Sequence, residues 1–434
     1  MSSSLTAAAA LRDWPAPVAA GAVNGTVSVP GSKSLSNRAL ILAAQATAPS
    51  VLEGVLRSRD SALMAAGLRA LGVPVDDSGP DWAVTPAPLR GPAQIDTGLA
   101  GTVMRFLPPL AATADGAVTV DGDPAARKRP MGEILRALRV LGVEIDGSGL
   151  PFTLQGKGFV TGGSVTIDAS ASSQFVSGLL LAAPSFRRGL TVQHDGTPVP
   201  SLPHIEMTVQ ALRSVGVQVD DSDPNTWTVV PGPVDPWTQP IETDLSNATP
   251  FLAAALVIGG TVRIPRWPEH TTQPGAAFAD LAADLGADVT LRNGTLSVTG
   301  PDRLPGMDID AHDFSELAPT LAAVAALADG PSHLRGIGHI RGHETDRLAA
   351  LVDNITGLGG DADADADALH IRPARLYGGT WRAFADHRMA TAGAIIGLRV
   401  AGVVVDDIDC TAKTLPGFAA MWADLLGDRD GSGS

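Results

Sequence analysis

Six polar or charged residues, Ser32, Thr102, Ser172, Ser246, Glu316 and Arg388, open apolar runs at successive intervals of 70, 70, 74, 70 and 72 residues. The runs are Ala39 to Ala46, Phe106 to Thr113, Phe175 to Ala183, Phe251 to Gly259, Leu317 to Ala328 and Met389 to Leu398. Being apolar on every face, they predict helices buried on all sides. This sixfold interval constrains the fold most, because a unit that cannot bury its apolar face alone must stack on its neighbours.

A second mark runs in step. Leu71-Gly72, Leu141-Gly142, Val215-Gly216, Leu285-Gly286, Leu358-Gly359 and Leu426-Gly427 each predict the end of an amphipathic helix closed by a glycine. Five of the six then lead into two short strands joined by an Asp, Ser or Gly turn, such as Val143-Glu144-Ile145 followed by Phe152-Thr153-Leu154. The unit reads as helix, strand, helix, strand, turn, strand, and the fold class as α/β with internal repeats. A chain of 434 residues suits two domains of three units each. Pro- and Gly-rich stretches at Thr85 to Pro92 and Pro231 to Pro240 are connectors, the second a candidate for passage between domains. Gly431 to Ser434 is expected to be disordered.

A single cysteine, Cys410, rules out an internal disulfide framework and suits a reducing compartment. No secretory pattern is visible in Met1 to Pro15, and no run is long and apolar enough for a bilayer, so a cytoplasmic enzyme without membrane association is expected. A net charge of −15, with one Tyr and ten Phe, argues against nucleic acid. The run Asp361 to Asp367 falls where the repeat puts a turn and reads as a solvated tip rather than a cation site.

Against this acidic background, cations collect at two repeat positions. One is the start of the buried helix. The other is the start of the amphipathic helix, at Ser58, Arg129, Ser201, Thr271, Glu344 and Lys413. Equivalent positions in stacked units lie on one side of the assembly, where helix N-termini attract anions. Pro30 to Arg38 joins a tight turn to serines, with Lys33 at the opening and Arg38 one turn further in; an ordinary capped helix explains that segment equally well. It is not a Walker loop, since the flanking glycines and the Gly-Lys-Ser/Thr order are missing. Gly98 to Arg105 repeats the logic, with Gly101 allowing close approach to the backbone, and Ser172-Ser173-Gln174 adds neutral donors. Asp386 reads as a cap for the last buried helix, beside Arg388. His339 and His343 lack the order of a zinc motif, and neither metal nor cofactor is expected.

Taken together, Pro30 to Arg38, Ala100 to Arg105, Ser172 to Phe175, His343 to Arg347, Asp386 to Met389 and Lys413 to Pro416 resemble the EPSP synthase (3-phosphoshikimate 1-carboxyvinyltransferase) family, especially actinobacterial members, from about Trp14 to Leu426. The resemblance implies an inverse α/β barrel of two domains, one of residues 12–30 plus 244–430 and the other of 31–243. It also implies transfer of the enolpyruvyl group of phosphoenolpyruvate to the 5-hydroxyl of shikimate 3-phosphate, without metal, by a monomer with three units per domain. Both substrates carry phosphate and carboxylate, and a unit charge paired at about 4 Å is worth on the order of 4 kcal/mol at an effective dielectric near 20. By resemblance, Lys33, Ser34, Arg38, Ser172, Ser173, Gln174, Ser201, His339 and His343 hold shikimate 3-phosphate. Gly101, Arg129, Arg347, Arg388 and Lys413 hold phosphoenolpyruvate, with Lys33 and Gln174 touching both. Glu316, where the family has aspartate, is the base for the attacking hydroxyl. Glu344 is the acid toward the methylene carbon, and Lys33 and Lys413 face the developing phosphate charge.

Three positions depart from the family pattern: Leu99 and His339 stand where Asn is common, and His343 where Lys is usual. A histidine's reference pKa of about 6.5 predicts pH-sensitive contacts from His343. Unsubstituted Gly101 resembles the glyphosate-sensitive form. The rivals are the sister enolpyruvyl transferase acting on UDP-N-acetylglucosamine, whose usual loop cysteine is missing from Asp123 to Pro130, and a non-catalytic anion-binding repeat module.

Overall fold

The computed structural model describes residues 13–427. The tail at Gly431 to Ser434 and most of the N-terminal stretch read for a signal lie outside those residues. Among them are twelve α-helices, two per repeat. In chain order these are α1 (Lys33–Ala43) and α2 (Arg59–Ala70), α3 (Gly101–Ala111) and α4 (Gly132–Val140), α5 (Gln174–Ala182) and α6 (Pro203–Ser214), α7 (Leu245–Ile258) and α8 (Ala277–Asp284), α9 (Ala318–Ala326) and α10 (Arg347–Gly357), α11 (His387–Gly397) and α12 (Phe418–Leu426). The odd-numbered helices are the buried ones, as α9 illustrates with every residue from Ala318 to Ala326 inside. The even-numbered ones bury one stripe, as α4 does with Ile134, Leu135, Ala137 and Leu138. All six glycines that close the even helices are left-handed, with φ between +78° and +93°, a region any other residue would enter under strain.

Each unit adds a small sheet, six in all. In unit two, Ala93–Asp96 runs parallel to Asp115–Asp121, which pairs antiparallel with Phe152–Lys157, and that strand with Glu144–Asp146. Units three and five repeat this order. The N-terminal stretch, expected to join the domain of residues 244–430, supplies two strands with separate tasks. Val23–Thr26 pairs parallel with Gly260–Pro265 of unit four, and Trp14–Pro15 pairs antiparallel with Val403–Val405 of unit six, which has no hairpin of its own among the described residues.

Buried apolar residues fall into two clusters, one from Ala39 to Ile241 and the other from Ala16 to Val29 plus Leu245 to Leu425. The chain passes between them twice, side by side. Ser32 N donates to Glu242 O at 2.7 Å, Asp244 N to Pro30 O at 2.9 Å, and Lys33 N to the Asp244 carboxylate at 3.1 Å. The passage sits just beyond the Pro-rich stretch, since Val234 and Trp237 still pack into the first cluster. A Cβ on Gly31 would overlap the Gly54 carbonyl oxygen, so this crossing is built for glycine.

The acidic run is only partly a tip. Asp361–Ala364 is a strand paired with Leu369–Arg372, and Arg372 Nη1 meets Asp361 and Asp363 at 2.9 and 2.6 Å. The turn is confined to residues 365–368, where Asp365 accepts from the Asp367 and Ala368 amides. No helix among the described residues is long and apolar enough to cross a membrane.

Candidate active site

Helices α1, α3 and α5 pack on one another, as do α7, α9 and α11. The starts of all six line one cleft between the two clusters, contributing Lys33, Gly101, Gln174, Ser246, Glu316 and Arg388. Several N-termini aimed at one space supply unpaired amides and partial positive charge there. Ser34, Arg129, Ser172, Ser173, Ser201, His339, His343, Glu344 and Arg347 line the same cleft. Two expected residues do not. Lys413 stands behind Glu344, its Nζ 2.7 Å from Oε1. Arg38 is buried and turned away, donating to the carbonyls of Ser34 at 2.9 Å and His204 at 2.7 Å and to Thr208 Oγ1 at 2.8 Å, because those acceptors surround its guanidinium over the Phe106 ring.

Ser32 caps α1 through the Leu35 amide, which aims Lys33 into the cleft. Burial lowers the Lys33 pKa, and Asp60, 3.3 Å from Nζ, works the other way. Thr102 is no cap; its Oγ1 accepts from Asn37 Nδ2 at 2.6 Å, and α3 begins from Ala100. Arg105 Nη1 donates to Gln174 Oε1 at 3.3 Å, and burial together with Arg129 pushes its pKa down. Arg129 Nη1 donates to the Leu99 carbonyl at 3.2 Å, a backbone contact that the Leu-for-Asn departure leaves available. Arg129 Nε is buried without a hydrogen-bond partner.

A Cβ on Gly101 would stand 3.0 Å from Gln174 Oε1, 3.1 Å from Arg105 Nη1 and 3.2 Å from Arg129 Nη2. Gly101→Ala therefore displaces three polar side-chain ends at once. We expect about a tenfold rise in KM for the anionic substrate they face, roughly 1.4 kcal/mol, with binding of the second substrate and melting temperature nearly unchanged. Steady-state kinetics with an unchanged KM would contradict this.

On the opposite wall, Glu316 sits in the turn His312–Leu317 just before α9. Its Oε1 accepts from Ser246 Oγ at 3.3 Å and lies 3.6 Å from His204 Nε2, while Oε2 is buried without a partner. Burial pushes the Glu316 carboxyl up, but His204 and Arg388 outweigh it and bring the pKa down to about 2. Burial likewise raises Glu344, and Lys413, Arg347 and Arg129 together hold it well below the usual carboxylate range. Arg347 ties the wall together: Nε and Nη2 meet Asp386 at 2.7 and 3.1 Å, Nη2 meets Glu344 at 3.1 Å, and Nη1 lies 3.0 Å from His343 Nδ1. Asp386 also caps α11 through the Arg388 amide at 2.9 Å, as the sequence suggested.

The histidines correct an expectation. Burial and then Arg347 push His343 well below its ordinary range, and burial and His312 bring His339 to about 4. Neither is poised near 6.5, so neither is a pH sensor around neutrality. Buried His387 is held low by desolvation and by Arg388. The consequence lies in stability. Between pH 6.5 and 4 the unfolded chain binds protons at these histidines that the folded chain refuses, so stability falls as pH falls. Urea midpoints at pH 7.5 and 5 should differ, and His339→Gln should flatten the slope; an unaltered slope would refute the assignment.

The sequence reading missed Asp60, His204, Asp244, Gln273 and His387. Asp60 and His204 follow Ser58 and Ser201 by two and three residues, so the repeat phase marks them. Gln273 follows Thr271 by two residues and carries the same mark; it bonds the Leu245 amide and Glu242 across the crossing. Among the described residues no three His, Cys, Asp or Glu side chains converge as metal ligands.

Comparison with known proteins places this architecture. The sequence profile described as EPSP synthase (3-phosphoshikimate 1-carboxyvinyltransferase) matches residues 18–422. The chain is 57% identical over 431 residues to a 3-phosphoshikimate 1-carboxyvinyltransferase of Kocuria rhizophila (strain ATCC 9341 / DSM 348 / NBRC 103217 / DC2201), covering 96% of this chain and 97% of that one. Among solved structures, an EPSP synthase from Acinetobacter baumannii superposes with a TM-score of 0.80 at 24% identity, over 95% of this chain and 97% of that one. The enolpyruvyl transferase NikO from Streptomyces tendae gives 0.76 at 19% identity, over 96% and 98%. At such identities the structural likeness speaks for the fold alone.

Proposed function

The chain belongs to the EPSP synthase family, and from that premise we propose how its cleft carries out the family's reaction. That reaction moves the enolpyruvyl group of phosphoenolpyruvate to the 5-hydroxyl of shikimate 3-phosphate, a step of aromatic amino-acid biosynthesis, and releases phosphate. The observation that carries the reading is the convergence of Lys33, Arg129, Arg347, Arg388 and, through Glu344, Lys413 around two carboxylates in one buried cleft. Such a field suits two small substrates that each bear phosphate and carboxylate.

Ser34, Ser172, Ser173, Gln174 and Ser201 donate to shikimate 3-phosphate, with neutral His339 and His343 as hydrogen-bonding partners. Arg38 serves that subsite through the Ser34 and His204 carbonyls that it anchors. Lys33, Arg129, Arg347, Arg388 and Lys413 hold phosphoenolpyruvate beside the Gly101 backbone. Glu316 Oε2 takes the 5-hydroxyl proton as that oxygen attacks C2 of phosphoenolpyruvate. Glu344 delivers a proton to C3, giving a tetrahedral intermediate. Loss of the C3 proton back to Glu344 then expels phosphate, and the hydroxyl proton leaves with it. Glu344 can hold a proton because the incoming phosphate competes for Lys413, Arg347 and Arg129, the charges that keep its carboxyl ionised.

The separation of the buried residues into two clusters supports reading two domains, divided near residues 30 and 243. We place the enzyme in the cytoplasm as a monomer inhibited by glyphosate. Assaying phosphate release from both substrates, with UDP-N-acetylglucosamine as the competing acceptor, tests the reading. Turnover with the nucleotide sugar alone, or none at all, would overturn it.

A further inference from the structure

One cleft side chain has no part in the steps above, yet it reaches Glu316 from the opposite half of the molecule. His204 opens α6 and lines the cleft, and its Nε2 lies 3.6 Å from Glu316 Oε1. Its backbone is fixed: the carbonyl accepts from Arg38 Nη2 at 2.7 Å, Thr208 Oγ1 at 3.0 Å and Ser177 Oγ at 3.3 Å. Those bonds leave the imidazole little freedom except toward the cleft, where it keeps 24% of its side chain exposed.

We propose that His204 is a positioning residue for Glu316, holding Oε1 from across the cleft so that Oε2 is left to receive the proton of the acceptor hydroxyl. The idea rests on the assignment of Glu316 as base. The geometry divides the carboxylate's work: Oε1 is occupied by Ser246 and His204, whereas Oε2 is buried and unpartnered. Other charges face the pair: Arg388 beyond Glu316, Lys33 and Asp244 at the crossing, Arg38 behind the His204 carbonyl, and His339 at the far wall.

The test is kcat and KM, read as phosphate release, for the wild type, His204→Gln, Glu316→Gln and the double variant. His204→Gln should lower kcat about tenfold with KM for shikimate 3-phosphate altered less than about twofold. In the Glu316→Gln background the same substitution should change nothing further. An unchanged kcat in His204→Gln, or an equal loss in both backgrounds, overturns the inference while leaving the proposed reaction intact. Full activity in Glu316→Gln removes the base assignment and this inference with it, and a silent wild type removes the reaction itself. His204→Asn and a melting curve for each variant separate misfolding from lost positioning.

Discussion

Glu344→Gln should lower kcat by about a thousandfold while leaving KM for phosphoenolpyruvate unchanged or smaller. The carboxylate bonds Lys413 at 2.7 Å and Arg347 at 3.1 Å, with both partners nearly inaccessible to solvent. Glutamine keeps the shape but cannot carry the proton to C3. It also leaves Lys413 with less neutralisation, which strengthens the pull on a phosphate. The free variant should therefore melt lower than the wild type, because buried like charges repel, and should gain more from added phosphate. Steady-state kinetics and melting curves with and without phosphate measure both parts. A kcat within threefold of wild type would mean that another group protonates the methylene carbon.

Much of the architecture was legible because burial imposes a pattern. Six apolar runs, each followed by an amphipathic stretch ended by a glycine, became six helix pairs, and every closing glycine is left-handed. What the pattern could not reveal was where the chain departs from it. Trp14–Pro15 and Val23–Thr26 carry no periodicity of their own, being too short, and their partners Val403–Val405 and Gly260–Pro265 lie hundreds of residues away. Asp361–Ala364 was read as turn because strand propensity there comes from pairing with Arg372, not from its own residues.

The cleft was readable through repeat phase, since equivalent helix starts face one space. Side-chain direction was not. Arg38 sits at the right position one turn beyond Lys33, yet three acceptors hold it inside. His343 looked like a titrating residue, but the neighbouring Arg347 and burial keep it neutral. Both outcomes depend on partners brought in by other units, which no local spacing encodes.

Asp386→Ala should cost about 3–5 kcal/mol of stability, one of the largest single losses available in this fold. Asp386 is fully buried and grips the equally buried Arg347 through both carboxylate oxygens, at 2.7 and 3.1 Å. Removing it strands a guanidinium with too few acceptors and uncaps α11. The two residues before it, Phe384 and Ala385, both sit at φ +55°, a conformation that costs non-glycine residues on the order of 1 kcal/mol or more each. The ion pair and cap hold that turn, so losing them frees the turn to relax and carries Arg388 away from the cleft. Activity should fall with stability. The two effects separate in the double variant Asp386→Leu with Arg347→Met, which buries no unpaired charge: it should regain much of the stability and none of the turnover. Denaturant midpoints and phosphate release for the single and double variants decide it. A single variant within 1 kcal/mol of wild type would mean that the turn and the guanidinium are held by something other than this carboxylate.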